Sequence, residues 1–208
     1  ENDLGRELWK TDGTMEGTSI VRDLYPGQES GASGGLQCIN DRIFMTGRDS
    51  GFESKLFSSD GNEIVKEADV VTRFFAGFQD KIAIVTANQL WIKESQVVSL
   101  IKEFSYEGHG VSIQEIYGGT EHIYILLSVW NLVGIIRYEL WASNGSEMET
   151  IFLRAFPLGQ NGERPNGLFE AGSRLYFSAL DELNGQSLWK SDGTPEGTVV
   201  VPDQFDVN

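Results

Sequence analysis

The run Glu7-Leu8-Trp9-Lys10-Thr11-Asp12-Gly13-Thr14-Met15-Glu16-Gly17-Thr18 returns near the other end of the chain as Ser187-Leu188-Trp189-Lys190-Ser191-Asp192-Gly193-Thr194-Pro195-Glu196-Gly197-Thr198. A chain that repeats itself at a set spacing folds as an array of one small unit, because each unit buries its apolar face only against a neighbour. Three weaker copies lie between: Lys55-Leu56-Phe57-Ser58-Ser59-Asp60-Gly61, Gln89-Leu90-Trp91-Ile92-Lys93-Glu94-Ser95 and Glu139-Leu140-Trp141-Ala142-Ser143-Asn144-Gly145. With the leucine as marker (8, 56, 90, 140, 188) the steps are 48, 34, 50 and 48 residues, averaging 45. That is the length of a four-stranded propeller blade, and no helical stretch is present to support a helical repeat of similar period.

The last copy spells out the strands. Gly167 to Ser173 reads as a first strand and turn, Arg174-Leu175-Tyr176-Phe177-Ser178-Ala179-Leu180 as a second, Ser187-Leu188-Trp189-Lys190 as a third and Thr198-Val199-Val200-Val201 as a fourth. Second strands recur at 42–46, 81–85 and 122–127, and fourth strands at 19–21, 63–65, 97–101 and 150–153. The second strands are nearly continuous apolar runs, as expected of strands covered on both faces. The expectation is an all-β propeller, one domain or fragment, with up-and-down blades at about 35–68, 72–104, 111–156 and 167–203 and a half-blade at 7–23. Either the missing inner strands precede Glu1 in a longer precursor, the reading we favour, or the half-blade adds to a sheet edge that would otherwise stay open. A start at Glu1 in mid-repeat, with neither Met nor signal peptide, also points to a fragment.

Charge narrows the partners. Lys plus Arg number 16 against 31 Asp plus Glu, a net charge of -15 that repels nucleic acid and anionic lipid alike. The longest uncharged stretch, Ile123 to Ile136, has 14 residues, short of the roughly 20 a helix needs to cross a bilayer. The single cysteine, Cys38, excludes an internal disulfide framework; its neighbours Leu36, Gln37 and Ile39 suggest a buried, inert thiol.

Asp12-Gly13, Asp60-Gly61, Asn144-Gly145 and Asp192-Gly193 fall at the turn between third and fourth strands. There glycine supplies positive φ and the Asp or Asn side chain bonds the turn backbone. Calcium binding is the sharper alternative for these carboxylates, but no run of alternating acidic ligands accompanies them and one position holds Asn. Trp9, Trp91, Trp141 and Trp189, with Phe57, recur at one blade position and read as core between blades.

These residues resemble the signature of the ELWxxDGT repeat proteins, a bacterial family. The match is complete at 7–14 and departs only at Ser187 in 187–194, and Gly17-Thr18, Val21, Asp23 and Pro26-Gly27 fit the tail of that repeat. The third copy carries Lys93-Glu94-Ser95 where Asp-Gly is expected. The resemblance implies a secreted or cell-surface propeller protein with no general catalytic activity, and no catalytic residues to carry over.

Catalytic constellations are scarce in the sequence. The two histidines, His109 and His122, lack His-Xaa-Xaa-His spacing and no Gly-Xaa-Ser-Xaa-Gly elbow accompanies them. No cofactor is implied. In an up-and-down blade the long connections share one face, here Tyr25–Gly35, Gly47–Ser54, Tyr106–Gly110, Val129–Gly134, Pro157–Asn166 and Asp181–Gln186, and recognition is expected there. Candidate contact residues are Arg48, Asp49, Tyr106, His109, Trp130, Asn131, Leu132 and Arg164, with Arg137 and Tyr138 as a polar rim. The apolar run Val129-Trp130-Asn131-Leu132-Val133-Gly134 stands out because the equivalent Arg48-Asp49-Ser50-Gly51 and Asp181-Glu182-Leu183-Asn184 are polar. It is either an exposed contact site, or a tip folded back over the propeller mouth, or a run-on of the two strands as a long hairpin packed on a neighbouring blade. The expected function is a non-catalytic extracellular module that binds a protein or surface glycan within a larger protein or assembly. The rival is a carbohydrate-binding or glycoside hydrolase-like propeller, whose paired carboxylates could come from different blades.

Overall fold

A computed structural model describes residues 4–160, 162–181 and 185–202. Every regular element among them is a strand. In chain order these are β1 (Leu8–Lys10), β2 (Ser19–Arg22), β3 (Ala32–Ile39), β4 (Arg42–Gly47), β5 (Lys55–Ser59), β6 (Ile64–Ala68), β7 (Phe74–Phe78), β8 (Lys81–Val85) and β9 (Gln89–Glu94). There follow β10 (Val97–Glu103), β11 (Gly110–Gly118), β12 (Ile123–Asn131), β13 (Gly134–Ser143), β14 (Thr150–Pro157), β15 (Asn166–Ala171), β16 (Arg174–Asp181), β17 (Gly185–Ser191) and β18 (Val199–Val200). They form four sheets of four strands, each a meander in sequence order (β3 to β6, β7 to β10, β11 to β14, β15 to β18), and the two-stranded pair β1–β2.

The Leu-aromatic step of the repeat has one structural signature. Where the third strand pairs with the fourth, the register shifts between Leu8 and Trp9, Leu56 and Phe57, and Leu140 and Trp141. Across the other edge, the aromatic meets a large apolar residue of the second strand: Phe57 faces Met45, Trp141 faces Ile125 and Trp189 faces Phe177.

Contacts divide the chain into two compact units, Glu1–Thr86 with Lys93–Ser99, and Ala87–Ile92 with Leu100–Asn208. The first has a core of Leu8, Leu24, Met45, Phe57 and Ile64. In the second, Leu140, Leu153, Phe156, Phe177 and Trp189 share a larger one. Trp189 lies edge-on to Phe156 at 5.2 Å, is stacked with Phe177 at 6.3 Å and is covered by the Arg154 guanidinium at 4.6 Å.

Three expectations are corrected. Cys38 is exposed because β3 is left uncovered on both faces along most of its length, Leu36 included. The repeated aromatics are not uniformly core, since Phe57 and Trp189 are buried, Trp91 and Trp141 are half-buried and Trp9 is 53% exposed. Trp9 differs because no described strand lies across the second edge of β1 to face it. Finally, Val129–Gly134 is not a long loop: the strands run on, as one of the alternatives had it, with β12 and β13 pairing out to Asn131↔Gly134 and leaving only Leu132-Val133 as the turn.

Truncating Trp189 to Ala removes a ring from a packed core and is expected to cost about 3–5 kcal/mol. Trp9→Ala is expected to stay within about 0.5 kcal/mol. Urea denaturation of the two variants measures both values.

Candidate functional site

The turn that ends the third strand is built by one set of hydrogen bonds. A hydroxyl two residues ahead of the glycine accepts its N–H: Thr11 from Gly13 at 3.0 Å, Ser59 from Gly61 at 3.0 Å, Ser143 from Gly145 at 3.1 Å and Ser191 from Gly193 at 3.1 Å. The next side chain caps the turn. Asp192 Oδ1 accepts the Thr194 N–H and hydroxyl at 3.0 and 2.7 Å, Asp12 does so from Thr14, and Asn144 from Ser146. Asp60 takes the N–H groups of Asn62 and Glu63. In three copies a threonine closes the hairpin by pairing hydroxyl to hydroxyl, Thr11 with Thr18, Ser143 with Thr150 and Ser191 with Thr198, at 2.7–2.8 Å. The second glycine of the repeat is steric in origin, since a Cβ on Gly197 would fall 1.9 Å from Asp192 Oδ1 and one on Gly17 2.0 Å from Asp12 Oδ1.

Each carboxylate in these turns is therefore already occupied by donors of its own loop. The Thr194 hydroxyl, and for Asp12 and Asp60 the backbone N–H groups of Thr14 and Glu63, hold the three aspartates below their usual 3.8. No group of three or more His, Cys, Asp or Glu among the described residues is arranged to hold a metal ion. Asp192→Ala is expected to cost about 1 kcal/mol at pH 7 through lost hydrogen bonds, with or without chelator. A depressed folded-state pKa means that this stabilisation is complete above 3.8 and fades as pH falls through the lowered folded value, so the difference between variant and parent should shrink as pH is taken below 3.8. Thermal melts at two pH values, each with and without chelator, check both statements.

The third copy departs from this scheme for a visible reason. Lys93 stands where the others have a turn hydroxyl; its ammonium donates to the carbonyl of Ser95 and lies 3.2 Å from Glu67 Oε2. Glu67 is held in turn by the Ser58 hydroxyl at 2.5 Å, which accepts from Arg42. Ser95 takes the positive φ, 53°, that glycine has elsewhere. A buried ion pair replaces the hydroxyl network in this copy.

One cluster of expected contact residues is brought together at the end of the β11–β14 sheet. Gly110, which opens β11, pairs with Trp130, and the indole lies so close over it that a Cβ there would meet the ring at 2.1 Å. The Tyr106–His109 bridge immediately precedes it, with His109 exposed and its Nδ1 2.8 Å from the Glu107 carbonyl. Beyond Trp130, Asn131 Oδ1 accepts the N–H groups of Val133 and Gly134 at 2.8 and 3.3 Å, a side-chain clamp across the two-residue turn. Leu132 and Val133 are left fully exposed and Trp130 is 45% exposed.

Further along β13 sits a residue that sequence reasoning missed. Glu139, the glutamate of the fourth repeat copy, is buried and accepts from Tyr106 Oη at 2.5 Å, Arg137 Nε at 2.7 Å and Trp141 Nε1 at 3.0 Å. The Arg137 guanidinium covers the Tyr106 ring at 5.2 Å. Burial, then the bond to Glu139, pushes the Tyr106 phenol well above its usual value, so it stays protonated and a donor. The first copy uses its glutamate in the same way: Glu7, also buried, accepts the N–H groups of Leu24 and Gly31 at 3.0 and 2.7 Å. Two of five copies place Glu directly before Leu-Trp, and that was the available signal.

The remaining candidates have contacts of their own. Arg48 donates to the Ser30 carbonyl, is 3.8 Å from Glu29 and stands over the Tyr25 ring. Asp49 is paired with Lys66 at 2.6 Å, which lowers its pKa. Arg164 is exposed and its field tempers the rise that burial imposes on Glu115. Tyr138 is core. His122 packs beside Tyr124. The Asp181–Gln186 and Pro157–Asn166 connections fall partly outside the described residues, Glu182, Leu183, Asn184 and Asn161 being the residues concerned.

Comparison of the chain with protein-family models and with curated proteins gives no match. Glu139→Ala strands three donors in a buried site and is expected to cost about 2–4 kcal/mol, while Tyr106→Phe, which removes one, should cost about 1 kcal/mol. Denaturation midpoints of the two variants test the ranking.

Proposed function

We propose that this chain is a non-catalytic binding module of the β-propeller type, its four-stranded sheets serving as blades, and that it recognises a protein partner through the tip of the β12–β13 hairpin. The observation that carries the reading is the pairing of exposure with rigidity at that tip. Leu132 and Val133 project fully into solvent, while the Asn131 side chain accepts the N–H groups of Val133 and Gly134 and so holds the turn that presents them. Apolar side chains on a two-residue turn cost solvation and add nothing to the core, and pre-ordering removes much of the entropic cost of docking them. Trp130, Tyr106 and Arg137 around the tip belong to the residue types enriched in protein interfaces.

The repeat's likeness to the ELWxxDGT proteins supports a place for the module on the cell surface or outside the cell, within a larger protein or assembly. A net charge of -15 favours partners whose contact surface is neutral or basic.

The test is a Leu132→Asp/Val133→Asp variant. Its melting temperature should match the parent's, because neither side chain is packed. Capture of surface or secreted proteins by the immobilised chain, followed by affinity measurement with the purified partner, should show at least about a tenfold loss. Unchanged affinity would remove the tip as the contact. Binding confined to a glycan array, insensitive to the tip variant, would favour the carbohydrate reading.

A further inference from the structure

The pair β1–β2 carries the most complete copy of the repeat, yet it is the least complete sheet. In the four-stranded sheets the strand bearing the repeat's aromatic is third in order and is hydrogen-bonded on both sides. Among the described residues, β1 is bonded only to β2. Its other edge opens on a groove of about 340 Å³, walled by Arg6, Glu7, Leu8 and Trp9 on one side and Leu36 and Met45 on the other. We propose that this edge accepts a separate β-hairpin having the repeat's own first- and second-strand pattern, which completes β1–β2 as a four-stranded sheet.

Three observations converge on that occupant. Trp9 is exposed although Phe57 and Trp189, its counterparts, are each 2% exposed against a second-strand residue, Met45 or Phe177. Groove and indole together thus lack an apolar strand of that kind. Next, β3 shows exposed side chains along most of its length, Leu36 included, so the wall opposite β1 is also uncovered. Last, the approach to β1 is already ordered: the Arg6 N–H bonds Ser30 Oγ at 3.0 Å, the Arg6 carbonyl accepts from Ala32 at 2.9 Å, and the Glu7 carboxylate is fixed by Leu24 and Gly31. An edge strand that is pre-ordered and free of proline is a template for strand addition, in which main-chain bonds give affinity and alternate side chains give selectivity.

The last sheet supplies the register. Placing β1 on β17 by the repeat puts Trp9 at Trp189, so the incoming second strand would set its Phe177 equivalent against Trp9 and its Leu175 equivalent against Thr11. A polar residue at the first of these positions would be held against the indole and the apolar wall.

The proposal is tested with a synthetic peptide of residues 166–181, the β15–β16 hairpin, added to the intact chain. Hydrogen exchange of residues 7–11 should slow by at least about tenfold at saturation. A peptide carrying Phe177→Asp should bind at least about tenfold more weakly, as should the wild-type peptide to a Trp9→Ala chain. The peptide variant leaves the protein untouched, so its loss of binding cannot come from misfolding. Unchanged exchange in β1, or equal binding of the Phe177→Asp peptide, would overturn the proposal. So would protection of β1 that rises with chain concentration in the absence of peptide, which would make a second copy the occupant. None of these outcomes depends on the β12–β13 tip.

Discussion

The hydrogen-bonded turn at the end of four of the five motif strands is the constraint on which the rest of this structure depends. A Ser or Thr hydroxyl holds the glycine N–H, an Asp or Asn oxygen holds the next residues, and a second hydroxyl closes the hairpin. Each bond contributes only on the order of 1 kcal/mol. Together they fix where the fourth strand starts relative to the third, and a one-residue slip would turn every core side chain to the wrong face. The register shift at the Leu-aromatic step follows in three sheets, and with it the placement of Phe57 and Trp141 against their second-strand partners.

Locking the turn side of each sheet leaves the other connections free to differ. The β12–β13 hairpin extends to a two-residue turn and exposes Leu132 and Val133, whereas Arg48 and Asp49 spend their charges on Glu29 and Lys66. Buried glutamate is the second recurring device. Glu7 ties down the segment from Leu24 to Gly31, and Glu139 ties Tyr106 to Arg137 and Trp141. A carboxylate offers several acceptor sites on one residue, and charge-assisted bonds are stronger than neutral ones, which suits it to pinning irregular chain from beneath.

Much of the architecture was legible in the sequence because alternation, turn dipeptides and repeat spacing are local signals. The eighteen strands among the described residues, their meander order and the role of Asp12, Asp60, Asn144 and Asp192 as turn acceptors can all be read from the chain. Burial was less legible. Trp9 and Trp189 occupy the same motif position, and whether a neighbour covers them depends on strands far away in sequence. Cys38 misleads for the same reason: the nearby Leu36 and Ile39 suggest burial, but β3 is exposed along most of its length. The Glu139 cluster escaped because Tyr106, 33 residues upstream, meets it only through tertiary structure, where β11 pairs with β12. Lys93, a break in the pattern by sequence, exchanges the turn hydroxyl for an ion pair with Glu67.

Native-state hydrogen exchange, resolved by residue, tests the central claim most directly. The amides of Gly61, Gly145 and Gly193 donate to turn hydroxyls and should be protected together, each by at least about tenfold over its unfolded rate. Ser59→Ala, Ser143→Ala and Ser191→Ala should each abolish protection at the glycine two residues on. Glycine amides that exchange at the unfolded rate in the parent, or that stay protected after the hydroxyl is removed, would contradict a fold organised by this turn.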